Sequence, residues 1–211
     1  MNDEYYNTRY IYDKGRSAVW RAVCEDLQKF VEEQSIVLDL AAGYCDFINN
    51  IKAQKKIAVD INSNSKTHCK RDVQFHESTI TDLSFIEDDS IDVIFMSNIL
   101  EHLDEPQIDA VINEIKRITK LNSKIIIIQP NYRHAFREYF DDYTHQKIFT
   151  HVSLADLFNA RGFKTLCLRP RYLPLSIKSK LPKSYWLTKL YLNFPLKVFG
   201  KQMLAVFKRE D

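Results

Sequence analysis

Short apolar runs alternate with amphipathic segments along most of the chain. The runs that combine β-branched and aliphatic residues predict strands. They lie at Ile36–Leu40, Ile57–Asp60, Val73–His76, Ile91–Met96 and Lys124–Gln129. The last of these runs is apolar on both faces, as a central strand of a parallel sheet must be.

Residues between the predicted strands show the spacing of helices. The pattern predicts helices at about residues 15–34, from the turn after Leu40 to about Ile51, at about 105–121 and at about 153–160. For the last helix, Ser153 is the expected N-cap and Gly162 the expected stop. Strands that alternate with helices predict an α/β fold, in which a mostly parallel sheet carries helices on both faces.

The C-terminal part of the chain departs from this alternation. Residues 163–168 and 202–207 predict two further strands. A Pro- and Lys-rich insertion at about residues 170–200 replaces the usual crossover helix between them. We expect residues 1–211 to form a single domain that carries this insertion and the N-terminal helix.

Composition narrows the class of protein. Apolar residues make up 45% and charged residues 27% of the 211 residues, which is typical of a globular domain. No apolar run approaches the ~18 residues of a membrane span. The first residues lack the apolar core of a secretory leader, so we expect a cytoplasmic protein. The four cysteines are scattered without metal-type spacing and are expected to be free thiols.

Charge is unevenly distributed, although the net charge is only +2. Residues 161–211 hold 12 of the 30 basic residues and 2 of the 28 acidic residues, which indicates an anionic partner for this part. Within it, residues 176–199 predict an amphipathic helix flanked by lysines. This helix either packs on the sheet edge and roofs an acceptor pocket, or makes peripheral contact with an anionic membrane. A nucleic-acid partner is not expected, because the rest of the chain is acidic.

The turn after the first strand carries the first candidate chemistry. Doubly wound sheets bind ligands at the carboxyl ends of their strands, and the small residues up to Gly43 let a ligand approach the backbone. Asp60 ends the second strand, where a carboxylate can accept both hydroxyls of a ribose. A dinucleotide site needs G-x-G-x-x-G, whereas Gly43 is the only glycine of this turn. Asp39 also disfavours phosphates there and favours a cationic ligand.

These residues belong to a longer set of motifs. Asp39–Cys45 reads D-L-A-A-G-Y-C and Ser97–Leu103 reads S-N-I-L-E-H-L; further stretches lie at Tyr139–His145, Arg171–Pro174 and Gly200–Leu204. In this order they resemble the class I S-adenosylmethionine-dependent methyltransferases, and the later stretches resemble those associated with bacterial surface-polysaccharide synthesis. The resemblance implies a Rossmann-like doubly wound sheet of seven strands, mostly parallel with the last strand antiparallel, and helices on both faces.

The resemblance also implies a cofactor and its contacts. S-adenosyl-L-methionine is the expected methyl donor, with S-adenosyl-L-homocysteine as the product. The expected donor contacts are Asp39 and Gly43 at the methionine part, Asp60 at the ribose, Asp82 and Leu83 at the adenine, and Ser97 and Asn98 below the sulfonium. Ala41 and Ile61 are expected to bind the donor as well.

Two residues depart from the family's usual turn. Ala41 and Cys45 stand where the family usually has glycine. Both side chains are small and fit if their backbone torsions are ordinary, but both are strained if φ is positive. A module that binds the donor without catalysis therefore stays open as an alternative.

Methyl transfer to a hydroxyl requires an aligned acceptor and the removal of its proton. His145 is the first candidate base, because Asp142 is close enough in sequence to orient it. His102 is the second candidate and also fits a purely structural role. Tyr132 and Tyr143 are expected to shape the acceptor pocket. No metal site is expected, since the candidate ligands are adjacent residues of one loop.

The leading hypothesis is therefore an S-adenosylmethionine-dependent methyltransferase that O-methylates a sugar or polysaccharide-related acceptor. A lipid-linked glycan is one form of such an acceptor. The alternatives are nitrogen or carbon methylation of another small or lipid-soluble acceptor, and the non-catalytic donor-binding module. A nicotinamide oxidoreductase comes last, because the glycine fingerprint is missing.

Overall fold

The computed structural model describes Asp13, residues 15–174 and residues 183–210. A seven-stranded sheet lies at its centre, in the order β3-β2-β1-β4-β5-β7-β6. The strands are β1 Ile36–Leu40, β2 Lys55–Asp60, β3 Val73–Glu77, β4 Ile91–Ser97, β5 Thr119–Pro130, β6 Phe163–Leu173 and β7 Gln202–Arg209. Strands β1 to β5 pair in parallel, and β7 is antiparallel to both β5 and β6. The predicted α/β fold with an antiparallel last strand is confirmed.

Helices cover both faces of the sheet. They are α1 Gly15–Leu27, α2 Asp46–Asn50, α3 Glu105–Ile118, α4 Tyr132–Ala135, α5 His151–Ala160 and α6 Tyr185–Asn193. One buried apolar cluster lies between the sheet and helices α3 and α5. A second cluster lies on the opposite face, under α1, α2 and α6. This two-sided burial is why the central strands are apolar on both faces.

Some predicted helix bounds are wrong. The N-terminal helix ends at Leu27 and is followed by a 3₁₀ turn at Gln28–Phe30, so the predicted range 15–34 is too long. Helix α3 ends at Ile118 rather than near 121, because Thr119 already pairs with Ile91 in the sheet.

The N-terminus of α5 also differs from the prediction. The N-cap is Thr150, not Ser153, and the helix begins at His151. The Thr150 side chain accepts a hydrogen bond from the Ser153 amide, while the Ser153 hydroxyl accepts one from the Thr150 amide. Ser153 therefore occupies the third helical position of a capping box. The preference of serine for helix starts does not by itself distinguish this position from the N-cap.

The predicted basic insertion lies partly outside the described residues, at 175–182. The described part forms α6, which packs on α1 and buries Leu192. Tyr185 and Lys189 bond to the Glu25 carboxylate of α1. The remaining large apolar side chains of the segment are exposed, Trp186 most of all at 74%. Among the described residues, no helix has the length and apolar character needed to cross a membrane.

The turn between β1 and α2 adopts an unusual backbone conformation. Ala41, Gly43 and Cys45 all have positive φ, at 58°, 52° and 56°. The strained alternative for Ala41 and Cys45 is therefore the one that the structure adopts. A non-glycine residue in this region costs about 1–2 kcal/mol. The Gly43 amide and the Ala42 amide tie the turn to Asp60 and Val59 of β2, which holds it in this shape.

We expect Ala41→Gly to stabilise the protein. Glycine relieves the positive φ of residue 41, but it also adds freedom to the unfolded chain, so the net gain is about 0.5–1 kcal/mol. The matched control is Ala42→Gly, because Ala42 is not among the positive-φ residues and glycine there should destabilise. Urea denaturation followed by circular dichroism measures both changes. Equal effects of the two substitutions would contradict the strain at Ala41.

Candidate functional site

A cavity of about 600 Å³ opens at the carboxyl ends of the parallel strands. The residues that line it follow β1, β2, β3 and β4 and continue into the loop that precedes α5. They are Ala41, Asp60, Ile61, Ser78, Thr79, Ile80, Thr81, Ser97, Asn98, Ile99, His102, Leu103, Gln107, Tyr143, Thr144 and Gln146. None of the described residues between 170 and 200 lines this cavity, so the roof that the sequence allowed for that segment does not appear in the described part.

Asp60 is the buried carboxylate at one end of the cavity. One of its oxygens accepts a hydrogen bond from the Gly43 amide at 2.7 Å, and the other accepts one from the Asn62 amide at 2.8 Å. Burial raises the pKa of Asp60, while these two amides act in the opposite direction. Each carboxylate oxygen keeps acceptor capacity, so the pair of amides aims the group without saturating it.

Asp39 lies at the end of β1 and is buried beside Asp60 without lining the cavity. Burial raises the pKa of Asp39 well above its usual range, and the neighbouring carboxylates of Asp60 and Asp46 add to this effect. Two buried acids at this turn make it a place that favours a cationic ligand.

Asp82 and Leu83 are not among the residues that line the cavity. Asp82 is exposed, and its carboxylate accepts a hydrogen bond from the Ser84 amide. Leu83 is fully buried in the core, and its amide donates to Glu114 at 3.0 Å. The preceding residues 78–81 line the cavity instead, so the predicted adenine contact of Asp82 and Leu83 stays a prediction.

Ser97 and Asn98 both line the cavity, where β4 ends. Asn98 has a φ of 52°, a conformation that asparagine tolerates better than most residues. Its side chain donates to the Ser97 hydroxyl at 3.2 Å and accepts from Gln202 of β7 at 2.7 Å. These bonds fix the two side chains at the end of β4.

His102 lines the far end of the cavity and is held by a hydrogen-bonded pair. Thr144 Oγ1 lies 2.9 Å from His102 Nδ1 and 2.6 Å from a carboxylate oxygen of Asp142. The Thr144 hydroxyl therefore donates to the carboxylate and accepts from Nδ1–H, which leaves a lone pair on His102 Nε2. Burial, and then the neighbouring His145, lower the pKa of His102 to about 4.

His145 packs behind His102 rather than among the residues that line the cavity. The ring centroids of His102 and His145 are 4.8 Å apart, and the His145 ring lies 4.6 Å from that of Tyr139. The described contacts thus connect Asp142 to the second candidate base, His102, through Thr144. Sequence reasoning did not single out Thr144, because its role depends on the approach of residues 142–144 to the end of β4.

Glu101 is the functional candidate that sequence reasoning missed. Its side chain is fully buried, and neither carboxylate oxygen has a hydrogen-bond partner among the described residues. Burial raises the pKa of Glu101 to about 8. Glu101, His102 and His145 each offer one potential metal-ligand atom, and these three atoms lie within 4.8 Å of one another. The Glu-His pair is visible in the sequence, but only the fold brings His145 to it.

The two predicted acceptor tyrosines lie in different places. Tyr143 lines the cavity mouth and is 72% exposed. Tyr132, at the start of α4, is not a lining residue and packs edge-to-face on Tyr139, with ring centroids 5.2 Å apart.

Comparison with known proteins identifies the family of the domain. The family described as "Methyltransferase domain" matches residues 12–168. No curated protein matches the chain. Solved structures with the same fold include a SAM-dependent methyltransferase from Archaeoglobus fulgidus, with 20% identity, TM-score 0.67, and coverage of 90% of this chain and 94% of that one.

Other solved structures are similar over most of their length. A SAM-dependent methyltransferase from Thermotoga maritima, described as a possible histamine N-methyltransferase, has 16% identity, TM-score 0.72, and coverage of 98% and 97%. One from Mesorhizobium loti has 11% identity, TM-score 0.63, and coverage of 89% and 98%. The expected cofactor, S-adenosylmethionine, agrees with these descriptions. Since the family match spans most of the chain, the protein belongs to the methyltransferase domain family.

Proposed function

We propose that this protein transfers the methyl group of S-adenosylmethionine to a hydroxyl of a sugar or polysaccharide-related acceptor. The observation that supports the proposal most is that the Asp60 carboxylate, Ser97 and His102 all line one cavity. The Asp60 carboxylate, with the buried Asp39 beside it, supplies negative charge, and His102 and Thr144 supply an imidazole and a hydroxyl. A cationic donor and a polar acceptor therefore each find suitable chemistry in one connected space.

The donor occupies the end formed by β1 and β2. Asp60 accepts hydrogen bonds from the ribose hydroxyls, and Asp39 stabilises the charge of the methionine part through the turn at Gly43. The predicted neighbours Ala41 and Ile61 flank this position, and Ser97 with Asn98 lies below the sulfonium. The positive φ values of Ala41 and Cys45 give the turn the shape that glycine would give it. This shape supports a turn that still binds the donor, although Ala41 and Cys45 stand where the family usually has glycine.

The acceptor occupies the end near His102, Tyr143 and Thr144. Transfer is an in-line displacement: an acceptor lone pair attacks the methyl carbon while the carbon–sulfur bond breaks and its electrons remain on sulfur. The protein aligns the acceptor about 3 Å from the methyl group and excludes water. We assign His102 to contact with the acceptor hydroxyl, with Asp142 and Thr144 as its positioning residues.

Polar and aromatic groups at this end are the reason for favouring a sugar-like acceptor. Gln107, Gln146 and Thr144 offer hydrogen bonds in several directions, and the exposed Tyr143 ring offers a stacking surface. A nitrogen acceptor is the alternative, because His102 can also hydrogen-bond an amine.

Loss of the Asp60 carboxylate should abolish tight donor binding. We expect Asp60→Ala to weaken S-adenosylmethionine and S-adenosylhomocysteine binding roughly 10- to 100-fold, because charge-assisted bonds to the ribose are lost. Calorimetry measures both ligands, with NAD as the ligand control. The control variant is Asp72→Ala, whose carboxylate is exposed and pairs with Lys56. Unchanged affinity in Asp60→Ala would contradict the assigned donor site.

Loss of His102 should separate donor binding from turnover. We expect His102→Ala to keep its affinity for the donor. The rate at which it forms S-adenosylhomocysteine should fall about 100-fold, because the acceptor is no longer aligned. The assay uses a panel of monosaccharides, nucleotide sugars and phenols. His134→Ala in α4, whose side chain does not line the cavity, is the control. Equal turnover in His102→Ala and the unmodified protein would remove His102 from the acceptor site.

We also propose peripheral contact with an anionic membrane through the described part of the insertion. The observation that favours it is a set of exposed large apolar side chains between 186 and 199. They are Trp186, Leu187, Leu190, Phe194, Leu196, Val198 and Phe199. Lys183 and Lys189 form ion pairs with acidic residues of the N-terminal part. We therefore expect apolar contact to contribute more to membrane binding than these two lysines do.

Sedimentation with lipid vesicles tests the membrane contact. We expect the protein to co-sediment with vesicles that contain anionic lipid, and the double variant Trp186→Ser/Leu190→Ser to remain in solution. Leu166→Ser changes an exposed leucine of β6 and serves as the control. A stable dimer that is lost in the double variant, with no vesicle binding, would assign the surface to self-association instead.

A further inference from the structure

We propose that Glu101, His102 and His145 together bind a divalent transition-metal ion beside the donor cavity. Their candidate ligand atoms lie within 4.8 Å of one another. Bonds of ~2.0–2.2 Å to one ion place its ligands about 3–4 Å apart, so the side chains have to close by roughly 1 Å.

The state of Glu101 is the independent observation that supports a cation here. A carboxylate that is 0% exposed and has no hydrogen-bond partner in the described part of the chain is an unfavourable arrangement. No ion pair of Glu101 with a described Lys, Arg or His satisfies it. Buried carboxylates normally pair with a cation or coordinate a metal, and the groups within reach of Glu101 are two imidazoles that are themselves metal ligands.

The surroundings hold the three residues in place. The carbonyl of Glu101 accepts hydrogen bonds from the amides of Gln146 and Lys147, at 2.8 and 3.1 Å. The Tyr139 hydroxyl donates to the carbonyl of Lys147 at 2.5 Å. The loop that carries His145 is therefore fixed against the turn that carries Glu101 and His102.

A second set of bonds orients the His102 ring. The Thr144 hydroxyl accepts from Nδ1–H and donates to the Asp142 carboxylate behind it, which fixes the His102 ring in the Nδ1–H tautomer. Carboxylates and hydroxyls behind an imidazole are the partners that metal-binding histidines commonly have, because they fix the tautomer. Asp142 then acts on the site through Thr144 rather than as a ligand.

The ligand set indicates the kind of ion. Two imidazoles and one carboxylate favour Zn²⁺, Fe²⁺, Co²⁺ or Mn²⁺, whereas Mg²⁺ and Ca²⁺ prefer sites made of oxygen alone. Three protein ligands leave coordination positions open, which is typical of catalytic rather than structural sites. His102 lines the cavity, so the site adjoins the acceptor end.

The role of the ion rests on the proposed function. A cation next to His102 attracts the acceptor's hydroxyl oxygen and lowers the pKa of that hydroxyl. The hydroxyl releases its proton to solvent, its oxygen lone pair forms the bond to the methyl carbon, and the carbon–sulfur bond breaks with its electron pair on sulfur. In this role His102 is a ligand that helps to align the acceptor. The proposal thus narrows the acceptors to those with a hydroxyl.

Metal titration of the whole chain tests the site. The protein is stripped with chelator and titrated with Co²⁺, followed by visible absorption, and with Zn²⁺, followed by calorimetry. We expect one equivalent to bind, and Glu101→Gln and His145→Ala to weaken binding at least 10- to 100-fold. Glu105→Gln and His134→Ala change neighbouring groups outside the cluster and should bind as tightly as the unmodified protein.

Thiols and folding are controlled in the same experiment. Cys45 and Cys69 have their sulfur atoms 2.8 Å apart, and binding there would give Co²⁺ a thiolate charge-transfer band. Glu101→Gln keeps the size of the side chain and removes its acidic group. It should therefore fold, and it should lose the rise in melting temperature that Zn²⁺ gives the unmodified protein. If Glu101→Gln does not fold, His145→Ala alone decides the result.

Donor binding to the stripped protein separates the two proposals. Donor binding without metal binding would overturn the metal site alone. Metal binding without donor binding would retain the site and overturn the proposed function. Cobalt bound equally by the unmodified protein and by both cluster variants, or bound through thiolate, would also overturn the metal site.

Discussion

The parallel pairing of β1 with β2 and β4 is the constraint on which the candidate site depends. Leu40 stands opposite Val59 on one side and Met96 on the other, so all three strands end at the same level. Parallel strands cannot be joined by tight hairpins, and each one therefore leaves the sheet through a loop at that edge. Ala41, Asp60 and Ser97 are the first residues beyond or at these ends, which brings the turn, the acid and the hydroxyl into one cavity.

The second half of the cavity depends on a long-range contact instead. The loop before α5 reaches the end of β4 through backbone bonds to the Glu101 carbonyl. That contact brings Thr144 to His102 and buries the Glu101 carboxylate. Under the proposed function, the donor end is built by the sheet itself, and the acceptor end is built by a loop that docks onto it.

Sequence patterns predicted the sheet well and the acceptor end less well, for a physical reason. A central strand such as Ile36–Leu40 is buried on both faces, so its apolar run marks its bounds directly. The end of α3 was placed too late because Leu121 continues the helical spacing, although the structure exposes it in β5. Asp60 and Ser97 could be predicted because their position follows from the strand ends. Glu101 and Thr144 could not, because their roles require contacts between residues more than 40 positions apart.

The left-handed turn at residues 41–45 has a consequence for how such proteins are recognised. Its shape is set by the bonds of the Ala42 and Gly43 amides to β2, and one glycine is sufficient for it. A search based on the spacing of glycines does not detect this turn in the sequence, whereas a comparison of backbone torsion angles does. For this turn, backbone geometry is therefore a better criterion of likeness than the glycine motif.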